Sequence, residues 1–281
     1  MQSLDPDFLR PLLKERTADS HKGDYGHLLV IAGCQSMPGA AVLATGAALK
    51  SGCGRVTLHS SALALQAAAC NFPSAMLSGE IGACFSNVPD DLGKYDAIAV
   101  GPGLGRAIQT VGGLKKLLKI AGENDIPMVL DADALNILAK HPALLDKLPA
   151  GSVMTPHLGE LRQLTGWLES SERETVARQL AGRTGCVVVA KGFQTVICTP
   201  EGESYVNTTG NPGLAKGGTG DVLTGLIGGL LARGYPAPDA AALGVWIHGY
   251  AGDRLTERCT AEAYHSKDLL DELYSGFKLL F

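Results

Sequence analysis

This 281-residue sequence has no large excess of positive or negative charge and no long hydrophobic run. Its 24 Lys and Arg residues face 28 Asp and Glu residues, a net charge of −4. Because binding to a nucleic-acid backbone needs a basic surplus or patch, we expect no nucleic-acid partner. No stretch approaches the roughly 18 apolar residues of a membrane span, and the N-terminus lacks the basic and apolar regions of a signal peptide. We therefore expect no membrane association and a cytoplasmic location.

Paired cysteines and aromatic residues are also rare. The seven cysteines, at positions 34, 53, 70, 84, 186, 198 and 259, form no C-x-x-C pair, which excludes zinc-finger spacing. We interpret them as small buried residues in a reducing compartment. With 46% hydrophobic and 19% charged residues, a chain of this length buries enough surface to fold without disulfides or a structural metal. Intrinsic disorder is thereby excluded.

Short apolar runs alternate with helical patterns along most of the chain. Strands are predicted at 28–32, 55–59, 97–100, 128–130, 153–155 and 187–190, with an antiparallel hairpin at 195–199 and 204–207 near the sheet edge. Helices are predicted at 40–50, 221–232, 238–255 and 266–277. The continuous apolar runs indicate strands buried on both faces of a parallel sheet, with helices as crossovers. The sequence thus predicts one doubly wound, mostly parallel α/β domain over residues 1–281.

The strongest chemical signal is the loop Gly217-Gly218-Thr219-Gly220-Asp221, which runs directly into an apolar helical pattern. Consecutive glycines let amide N–H groups converge on one point, where the helix start adds positive partial charge. The loop predicts a phosphate site, although it does not match the P-loop pattern. Asp221 is placed either to cap the helix or to accept a proton from a hydroxyl. A glycine-rich turn with a capping Asp is the alternative.

Two more loops follow predicted strands, where open α/β sheets bind their ligands. Residues 101–105 carry three glycines but depart from G-x-G-x-x-G, which disfavours a dinucleotide-binding dehydrogenase. This loop either faces a ligand or serves packing. Asp131 and Asp133 follow the strand at 128–130. They are candidates for contact with magnesium or ligand hydroxyls, and Asp133 alone would cap the next helix.

His157 and Lys191 occupy the ends of the last two predicted parallel strands. Glu160 lies three residues after His157, the spacing of an acidic first helical turn. His157 is a candidate for substrate contact, with a purely structural role as the alternative. Lys191 precedes Gly192 and thus combines charge with close approach of the main chain, which suits contact with a nucleotide.

Seven short motifs stand in a fixed order between about residues 22 and 268. They are Lys-Gly-Asp-Tyr-Gly-His at 22–27, Pro-Gly-Ala-Ala at 38–41, Gly-Pro-Gly-Leu-Gly at 101–105, Asp-Ala-Asp-Ala-Leu-Asn at 131–136, Thr-Pro-His-Leu-Gly-Glu at 155–160, Lys-Gly-Phe-Gln-Thr at 191–195 and Gly-Gly-Thr-Gly-Asp-Val-Leu at 217–223. Together they resemble the ADP- or ATP-dependent NAD(P)H-hydrate dehydratases of the ribokinase-like superfamily. Cys53 and Lys216 depart from the usual pattern without removing a functional group.

The resemblance implies a repair reaction on hydrated nicotinamide cofactors. The substrates would be NADHX and NADPHX, which carry a hydroxyl on C6; ADP or ATP phosphorylates that hydroxyl, and elimination of phosphate restores NADH or NADPH. Asp221 would be the catalytic base, and the amides of Gly218 to Gly220 would stabilise the transferring phosphoryl group. Mg²⁺ is implied with the nucleotide, and Asp131 is its candidate ligand.

The same resemblance implies binding residues and an assembly. The hydrated dinucleotide would contact Ala40, Gly103, His157 and Asp221. The nucleotide donor would contact Lys191, Gly192, Phe193, Gln194, Thr195, Gly218, Thr219 and Gly220. A homo-oligomer, often a tetramer, is expected. Many relatives carry an NAD(P)H-hydrate epimerase domain ahead of this one, and because only about 20 residues precede the first motif, we expect that domain to be absent.

Two other functions remain open on the residues alone. A small-molecule kinase of the same superfamily, acting on hydroxymethylpyrimidine, hydroxyethylthiazole or a pyridoxal-like alcohol, would share the glycine-rich loop and the base. The motifs at 101–105 and 155–160 favour the dehydratases. A nucleotide-binding regulatory protein would keep the fold but would not need a carboxylate beside the phosphate site, so Asp221 argues against it.

Overall fold

The computed structural model describes residues 1–80, 82–167 and 173–281. Its strands are β1 (Gln2–Leu4), β2 (His27–Ile31), β3 (Arg55–Ser60), β4 (Met76–Gly79), β5 (Ala97–Val100), β6 (Met128–Leu130), β7 (Val153–Met154), β8 (Val187–Ala190), β9 (Val196–Cys198) and β10 (Ser204–Asn207). They form one sheet in the order β1-β10-β9-β8-β7-β6-β5-β2-β3-β4. Strands β2 to β8 run parallel, and β9 pairs antiparallel with β8 and β10. The predicted mostly parallel α/β fold is therefore confirmed.

Helices cover both faces of this sheet. In the described residues they are α1 (Pro6–Leu9), α2 (Pro38–Lys50), α3 (Ala62–Asn71), α4 (Ile108–Glu123), α5 (Ala132–Lys140), α6 (Leu158–Thr165), α7 (Arg173–Thr184), α8 (Thr219–Ala232), α9 (Ala237–Thr256) and α10 (Ser266–Leu280). One hydrophobic core joins the sheet to α2, α3, α8, α9 and α10. The other core joins its opposite face to α4, α5, α6 and α7.

The central strands form where the sequence predicted them, and the edge strands were missed. Every residue of β2, β5 and β8 is buried, as continuous Val, Ile, Leu and Ala runs require. The hairpin β9–β10 is also confirmed, but β1 pairs with β10 beyond it. Both missed strands, β1 and β4, lie at sheet edges and are mostly exposed. Edge strands need no continuous apolar run, so their sequences carry little signal.

Helix α8 lies unusually close to α2 because glycines form the contact. A Cβ atom added to Gly225 would lie 2.0 Å from the carbonyl oxygen of Ala44, and one added to Gly229 would lie 2.0 Å from Ser51 Oγ. Some of the 36 glycines of the chain therefore serve helix packing. The contact also sets the position of the loop that precedes α8, which carries the predicted phosphate site.

Cysteine burial agrees only in part with the prediction. Cys34, Cys53, Cys186 and Cys198 are buried, but Cys70 is exposed and positions 84 and 259 are intermediate. The prediction of uniformly buried cysteines is wrong for Cys70 because it lies on the outer side of α3. All seven are free thiols. In the described part of the chain, none of the helices has the length and apolar character needed to cross a membrane.

Candidate active site

The predicted site loops meet at one edge of the sheet, where the parallel strands have their carboxyl ends. Their main chains are hydrogen-bonded in succession: the N–H of Gly101 donates to Ile31, that of Asp131 to Val100, and that of Thr155 to Leu130, at 3.1–3.2 Å. Residue 191 continues the series, since its N–H donates to the carbonyl of residue 156 at 2.8 Å. Four motifs that lie far apart in sequence therefore line one continuous edge.

The glycine-rich loop is held in a fixed shape at the start of α8. Gly218 has a φ of +91°, and a Cβ there would lie 2.6 Å from Leu43 Cδ1 and 2.7 Å from Ser266 Oγ. The Thr219 hydroxyl donates to the carbonyl oxygens of residues 214 and 216 at 2.8 and 3.0 Å. The amides of the first helical turn have no carbonyl partner within the helix. The loop therefore presents N–H donors and the positive end of the helix dipole to a ligand.

Asp221 lies in the first turn of α8 and does not cap it, because Gly218 occupies the capping position. Among the described residues, no donor is hydrogen-bonded to the Asp221 carboxylate. Burial, supported by the nearby Asp131 carboxylate and opposed by Lys191, raises the pKa of Asp221 to about 6. A carboxylate with this pKa is still mostly ionised at neutral pH and accepts a proton more readily than an ordinary Asp.

Lys191 brings a positive charge to the same place. Its Nζ donates to Asp131 Oδ1 at 2.7 Å, and the Thr224 hydroxyl donates to Asp131 Oδ2 at 2.7 Å. A Cβ added to Gly220 would lie 3.3 Å from Lys191 Nζ, so the ammonium group borders the glycine-rich loop. Both oxygens of the proposed metal ligand Asp131 are therefore already hydrogen-bonded within the protein.

His157 and Glu160 form a reciprocal cap at the start of α6, as their spacing predicted. The N–H of His157 donates to Glu160 Oε2 at 2.8 Å, and the N–H of Gly159 donates to His157 Nδ1 at 2.9 Å. The His157 ring remains exposed at the ligand edge. Burial raises the pKa of Glu160, with Lys191 acting in the opposite direction. The imidazole thus has a structural role and still faces the site.

Gly103 and Ala40, both predicted to contact the dinucleotide, are neighbours. A Cβ added to Gly103, whose φ is +60°, would lie 2.7 Å from Ala40 Cβ. Asp133 does not cap α5: its Oδ2 accepts the N–H of Gly105 at 2.8 Å, and its Oδ1 lies 3.6 Å from Arg106 Nε. The Asp133 carboxylate therefore fixes the loop at 101–105.

The predicted nucleotide loop at 191–195 extends from the site to the surface. Phe193 is 89% exposed, and Arg173 Nη2 donates to the carbonyl oxygens of Phe193 and Gln194 at 3.0 and 2.6 Å. The Thr195 hydroxyl closes the loop by donating to the carbonyl oxygen of Gly192 at 3.1 Å. The loop is thus held by hydrogen bonds from Arg173 and Thr195, with its apolar tip in solvent.

Sequence reasoning missed Thr224 and His248. Thr224 stands one turn after Asp221 in an otherwise apolar helix, a spacing that was available as a signal. His248 is buried in α9, and its Nε2 lies 2.9 Å from the carbonyl oxygen of Thr219. Burial lowers the pKa of His248 to about 4, so the ring is neutral and donates this hydrogen bond. Nothing in the sequence pairs it with residue 219.

Lys216, to which the sequence assigned no role, holds the glycine-rich loop against the segment before α10. Its Nζ donates to the carbonyl oxygens of Ala261, Glu262 and Tyr264 at 2.6, 2.9 and 2.5 Å. Three acceptors use the donors of this ammonium group. Its function in the fold is therefore to tie the segment before α10 to the glycine-rich loop.

The sheet order and the helix start beside a half-buried carboxylate define a ribokinase-like protein. A ribokinase-like superfamily protein of Enterococcus faecalis superposes with a TM-score of 0.83 at 26% identity, covering 99% of this chain and 96% of that one. More narrowly, the chain belongs to the NAD(P)H-hydrate dehydratase family, whose sequence profile matches residues 28–275. The predicted resemblance, and with it the expectation of an enzyme, is confirmed.

Individual relatives agree with this family. The ADP-dependent (S)-NAD(P)H-hydrate dehydratase of Neisseria meningitidis is 40% identical over 256 residues, covering 88% of this chain and 82% of the relative. The ADP/ATP-dependent NAD(P)H-hydrate dehydratase of Bacillus subtilis, co-crystallised with ATP and Mg²⁺, superposes with a TM-score of 0.87 at 32% identity, covering 100% of this chain and 99% of that one.

Longer relatives match as well. The bifunctional NAD(P)H-hydrate repair enzyme of Moorella thermoacetica is 38% identical over 280 residues, which cover 95% of this chain and 52% of that enzyme. The chain thus spans about half the length of the bifunctional relatives that it matches.

Proposed function

We propose that this protein converts NADHX and NADPHX back to NADH and NADPH at the expense of ADP or ATP. The observation that carries the proposal is the meeting of Asp221, the open start of α8 and Lys191 at one sheet edge, in a chain of this family. Relatives named as ADP-dependent dehydratases support ADP as a donor. The related structure with ATP and Mg²⁺ supports a site that also accepts ATP.

The arrangement offers groups for the phosphoryl transfer. Hydroxide is a poor leaving group, so the C6 hydroxyl must first be phosphorylated. Asp221 accepts the proton of the C6 hydroxyl while the oxygen of that hydroxyl attacks the terminal phosphorus of the donor. The bond from this phosphorus to the bridging oxygen of the donor breaks. The helix amides and Lys191 neutralise charge on the transferring group. The ring nitrogen then expels phosphate from C6, and loss of a proton from C5 completes the dihydropyridine ring.

We also propose that Mg²⁺ binds together with the nucleotide. The described residues contain no group of three His, Cys, Asp or Glu side chains that could hold a metal ion. Both Asp131 oxygens are already occupied, so a ligand role for Asp131 requires release of Lys191 or Thr224. The residues present fit a magnesium ion held mainly by phosphate oxygens and water. When bound, the ion would reduce charge repulsion on the phosphates.

Different residues of the edge are proposed for the two substrates. Ala40, Gly103 and His157 are proposed for the hydrated dinucleotide, although His157 is bridged to Lys191 of the nucleotide loop. The loop at 191–195 and the amides of Gly218, Thr219 and Gly220 are proposed for the nucleotide. Asp221, whose carboxylate lies near Asp131 and Lys191, is proposed to reach the hydroxyl of one substrate and the phosphoryl group of the other.

We extend the proposal to the organisation of the protein. Residues 1–281 act as one dehydratase domain, which the single ten-stranded sheet of the described residues supports. The free thiols of all seven cysteines agree with a cytoplasmic enzyme. We also propose a homotetramer, as expected from the resemblance.

The test is direct, because hydrated cofactors lack the near-ultraviolet absorbance of the dihydronicotinamide ring. Purified protein with Mg²⁺, NADHX and ADP should restore that absorbance, with one phosphate and one AMP released per NADH formed. ATP in place of ADP measures donor preference, and NADPHX in place of NADHX measures substrate preference. Absence of signal with both donors contradicts the proposal. A hydroxymethylpyrimidine or hydroxyethylthiazole substrate that is phosphorylated faster would favour the kinase alternative.

A further inference from the structure

Strand β4 forms one edge of the sheet and is paired on one side only. Among the described residues, it pairs with β3 alone, in parallel, with Leu58 opposite Leu77 and Ser60 opposite Gly79. The N–H of Glu80 donates to the carbonyl oxygen of Ser60 at 2.9 Å, which shows that the main chain of residue 80 faces β3. Because alternate residues of a strand bond to opposite sides, the main-chain groups of Leu77 and Gly79 point away from β3.

This edge is apolar and carries no charge. Residues 61–79, which include α3 and β4, contain no Asp, Glu, Lys, Arg or His. Leu63, Met76 and Leu77 are 40%, 42% and 47% exposed. Edge strands of isolated sheets are normally protected by charged residues, proline or bulges, and the charge-free core of a protein interface has the opposite composition. The β4 edge therefore lacks the charges of a protected edge and shares the charge depletion of an interface core.

The opposite edge of the sheet shows the contrast. Strand β1 is followed at once by Asp5 and Asp7, and Asp7 forms an ion pair with Arg10 at 3.0 Å. Leu4, the last residue of β1, is 2% exposed. The β1 edge therefore has exposed charges that keep an edge strand in solvent, whereas Glu80, which follows β4 directly, is buried and hydrogen-bonded to Ser86 and Asn87.

We propose that β4 pairs with β4 of a second copy of this chain, antiparallel and across a two-fold axis, so that the two sheets become continuous. The outward groups of Leu77 and Gly79 need an extended main chain as their partner. A two-fold contact brings a surface against itself, which is unfavourable for a charged patch and costs nothing electrostatically for residues 61–79. Leu63, Met76 and Leu77 then lose their contact with water.

The pairing leaves the candidate active site open. Strand β3 lies between β4 and β2 in the sheet, and the site loops follow β2, β5, β6, β7 and β8. The contact therefore adds to the proposed dehydratase activity without depending on it, and one is measured by mass while the other is measured by absorbance.

The first test places a charge on the edge. Leu77→Lys puts two like charges near the two-fold axis, so the mass measured by light scattering should fall two-fold relative to the wild type. Leu279→Lys is the matched control, because Leu279 of α10 is 41% exposed and its carbonyl oxygen accepts a hydrogen bond from Arg10, close to the opposite edge strand β1. An unchanged circular dichroism spectrum and a cooperative thermal transition show that Leu77→Lys folds, while its midpoint should fall because the subunit contact is lost. An unchanged mass in Leu77→Lys, or an equal fall in the control, overturns the proposal.

The second test asks whether the contact is between identical edges. Mixing Leu77→Lys with Leu77→Glu should restore the wild-type mass, since each lysine then faces a glutamate of the other variant. Hydrogen exchange adds a local measurement: the amides of Leu77 and Gly79 should be protected in the wild type and exchange at least ten-fold faster in Leu77→Lys. A mixture that stays at the lower mass, or a wild type with unprotected amides at 77 and 79, contradicts the two-fold pairing.

Discussion

The two ends of helix α8 are built in opposite ways. At the C-terminal end Gly234 has a φ of +79°, its N–H donates to Leu231, and the N–H of Tyr235 donates to Leu230. The last carbonyls of the helix are thereby satisfied within the fold. At the N-terminal end the first amides have no helical partner, and Asp221 accepts no hydrogen bond from the described residues. The unsatisfied end is the one that a ligand can complete.

Charge is also used differently at the two ends. At the C-terminal end, Arg233 donates to the carbonyl oxygens of Ser51 and Lys14, and Lys14 Nζ donates to Gly234 at 2.5 Å. The charged groups of Arg233 and Lys14 thus stabilise main-chain carbonyls, and these hydrogen bonds occupy them. At the N-terminal end Lys191 is held beside the loop by Asp131 and remains 20% exposed. The comparison shows that the cations of the C-terminal end bind main-chain carbonyls, whereas Lys191 is paired with a carboxylate and borders the proposed phosphate site.

The largest effect is expected from removing the proposed base at the N-terminal end of α8, which we call the open end because its first amides have no helical partner. Asp221→Asn should lower kcat by about 10²–10⁴-fold, because the amide that replaces the proposed base cannot take the hydroxyl proton. The absorbance assay with NADHX and ADP measures it. Asp133→Asn is the matched control: it removes a carboxylate from the same edge, and its effect should be at least ten-fold smaller. Full turnover in Asp221→Asn would disprove the assignment.

Removing the positive charge comes next. Lys191→Met should lower kcat by about 10²–10³-fold, the effect of losing one donor to a transferring group. It should also lower the free energy of unfolding, since the buried Asp131 carboxylate loses its partner. The double variant Lys191→Met with Asp131→Asn separates the two effects. Stability should return while activity stays low, and recovery of activity in the double variant would show that Lys191 acts only in folding.

Crowding the open end should have a smaller effect. A methyl group in Gly220→Ala would lie 3.3 Å from Lys191 Nζ, whereas one in Gly217→Ala meets no atom within 4 Å. We expect about a ten-fold fall in kcat/KM for Gly220→Ala, through displacement of the ammonium group, and little change for Gly217→Ala. Equal effects of the two substitutions would argue against a specific role for the contact at residue 220.

Acidity should affect the open end through Asp221. Because its pKa is raised to about 6, kcat/KM should fall about ten-fold per pH unit below that value as the base becomes protonated. The raised pKa stabilises the fold at low pH, and this contribution is lost as the pH rises through about 6. Asp221→Asn should therefore unfold at a higher temperature than the wild type at pH 8 and not at pH 4. An unchanged difference between the two pH values would contradict the raised pKa.

The smallest effect on activity is expected at the C-terminal end of α8, where the last carbonyls are satisfied within the fold. Arg233→Met removes hydrogen bonds to Ser51 and Lys14 and should lower the free energy of unfolding by about 1–3 kcal/mol. Denaturant titration measures the loss, and kcat should stay within about two-fold of the wild type. A large fall in kcat would mean that the two ends of α8 are coupled.

The central strands and the site loops were predictable because their signals are local. A continuous apolar run such as 97–100 can only be buried, and the reciprocal cap of His157 and Glu160 depends on three residues of spacing. The resemblance added roles that no single motif supports. By contrast, the edge strands β1 and β4 carry little local signal, and Cys70 was predicted buried because a helix register cannot be read from an alanine-rich segment.

The partners of the site residues were not predictable in the same way. Asp131 and Lys191 are 60 positions apart, and Thr224 reaches Asp131 from a different helix. The charge environment of Asp221, and with it the pKa of about 6, depends on which groups the sheet brings together.

The amino-acid sequence by itself determined the buried strands, the helix that follows the glycine-rich loop and the order of the motifs, because apolar runs and glycine conformations act over a few neighbouring residues. Only the tertiary structure decided that Lys191 borders Gly220, that both oxygens of Asp131 are taken and that β4 ends the sheet without a second partner. These facts arise from contacts between segments distant in the chain, and such contacts exist only once the sheet has formed.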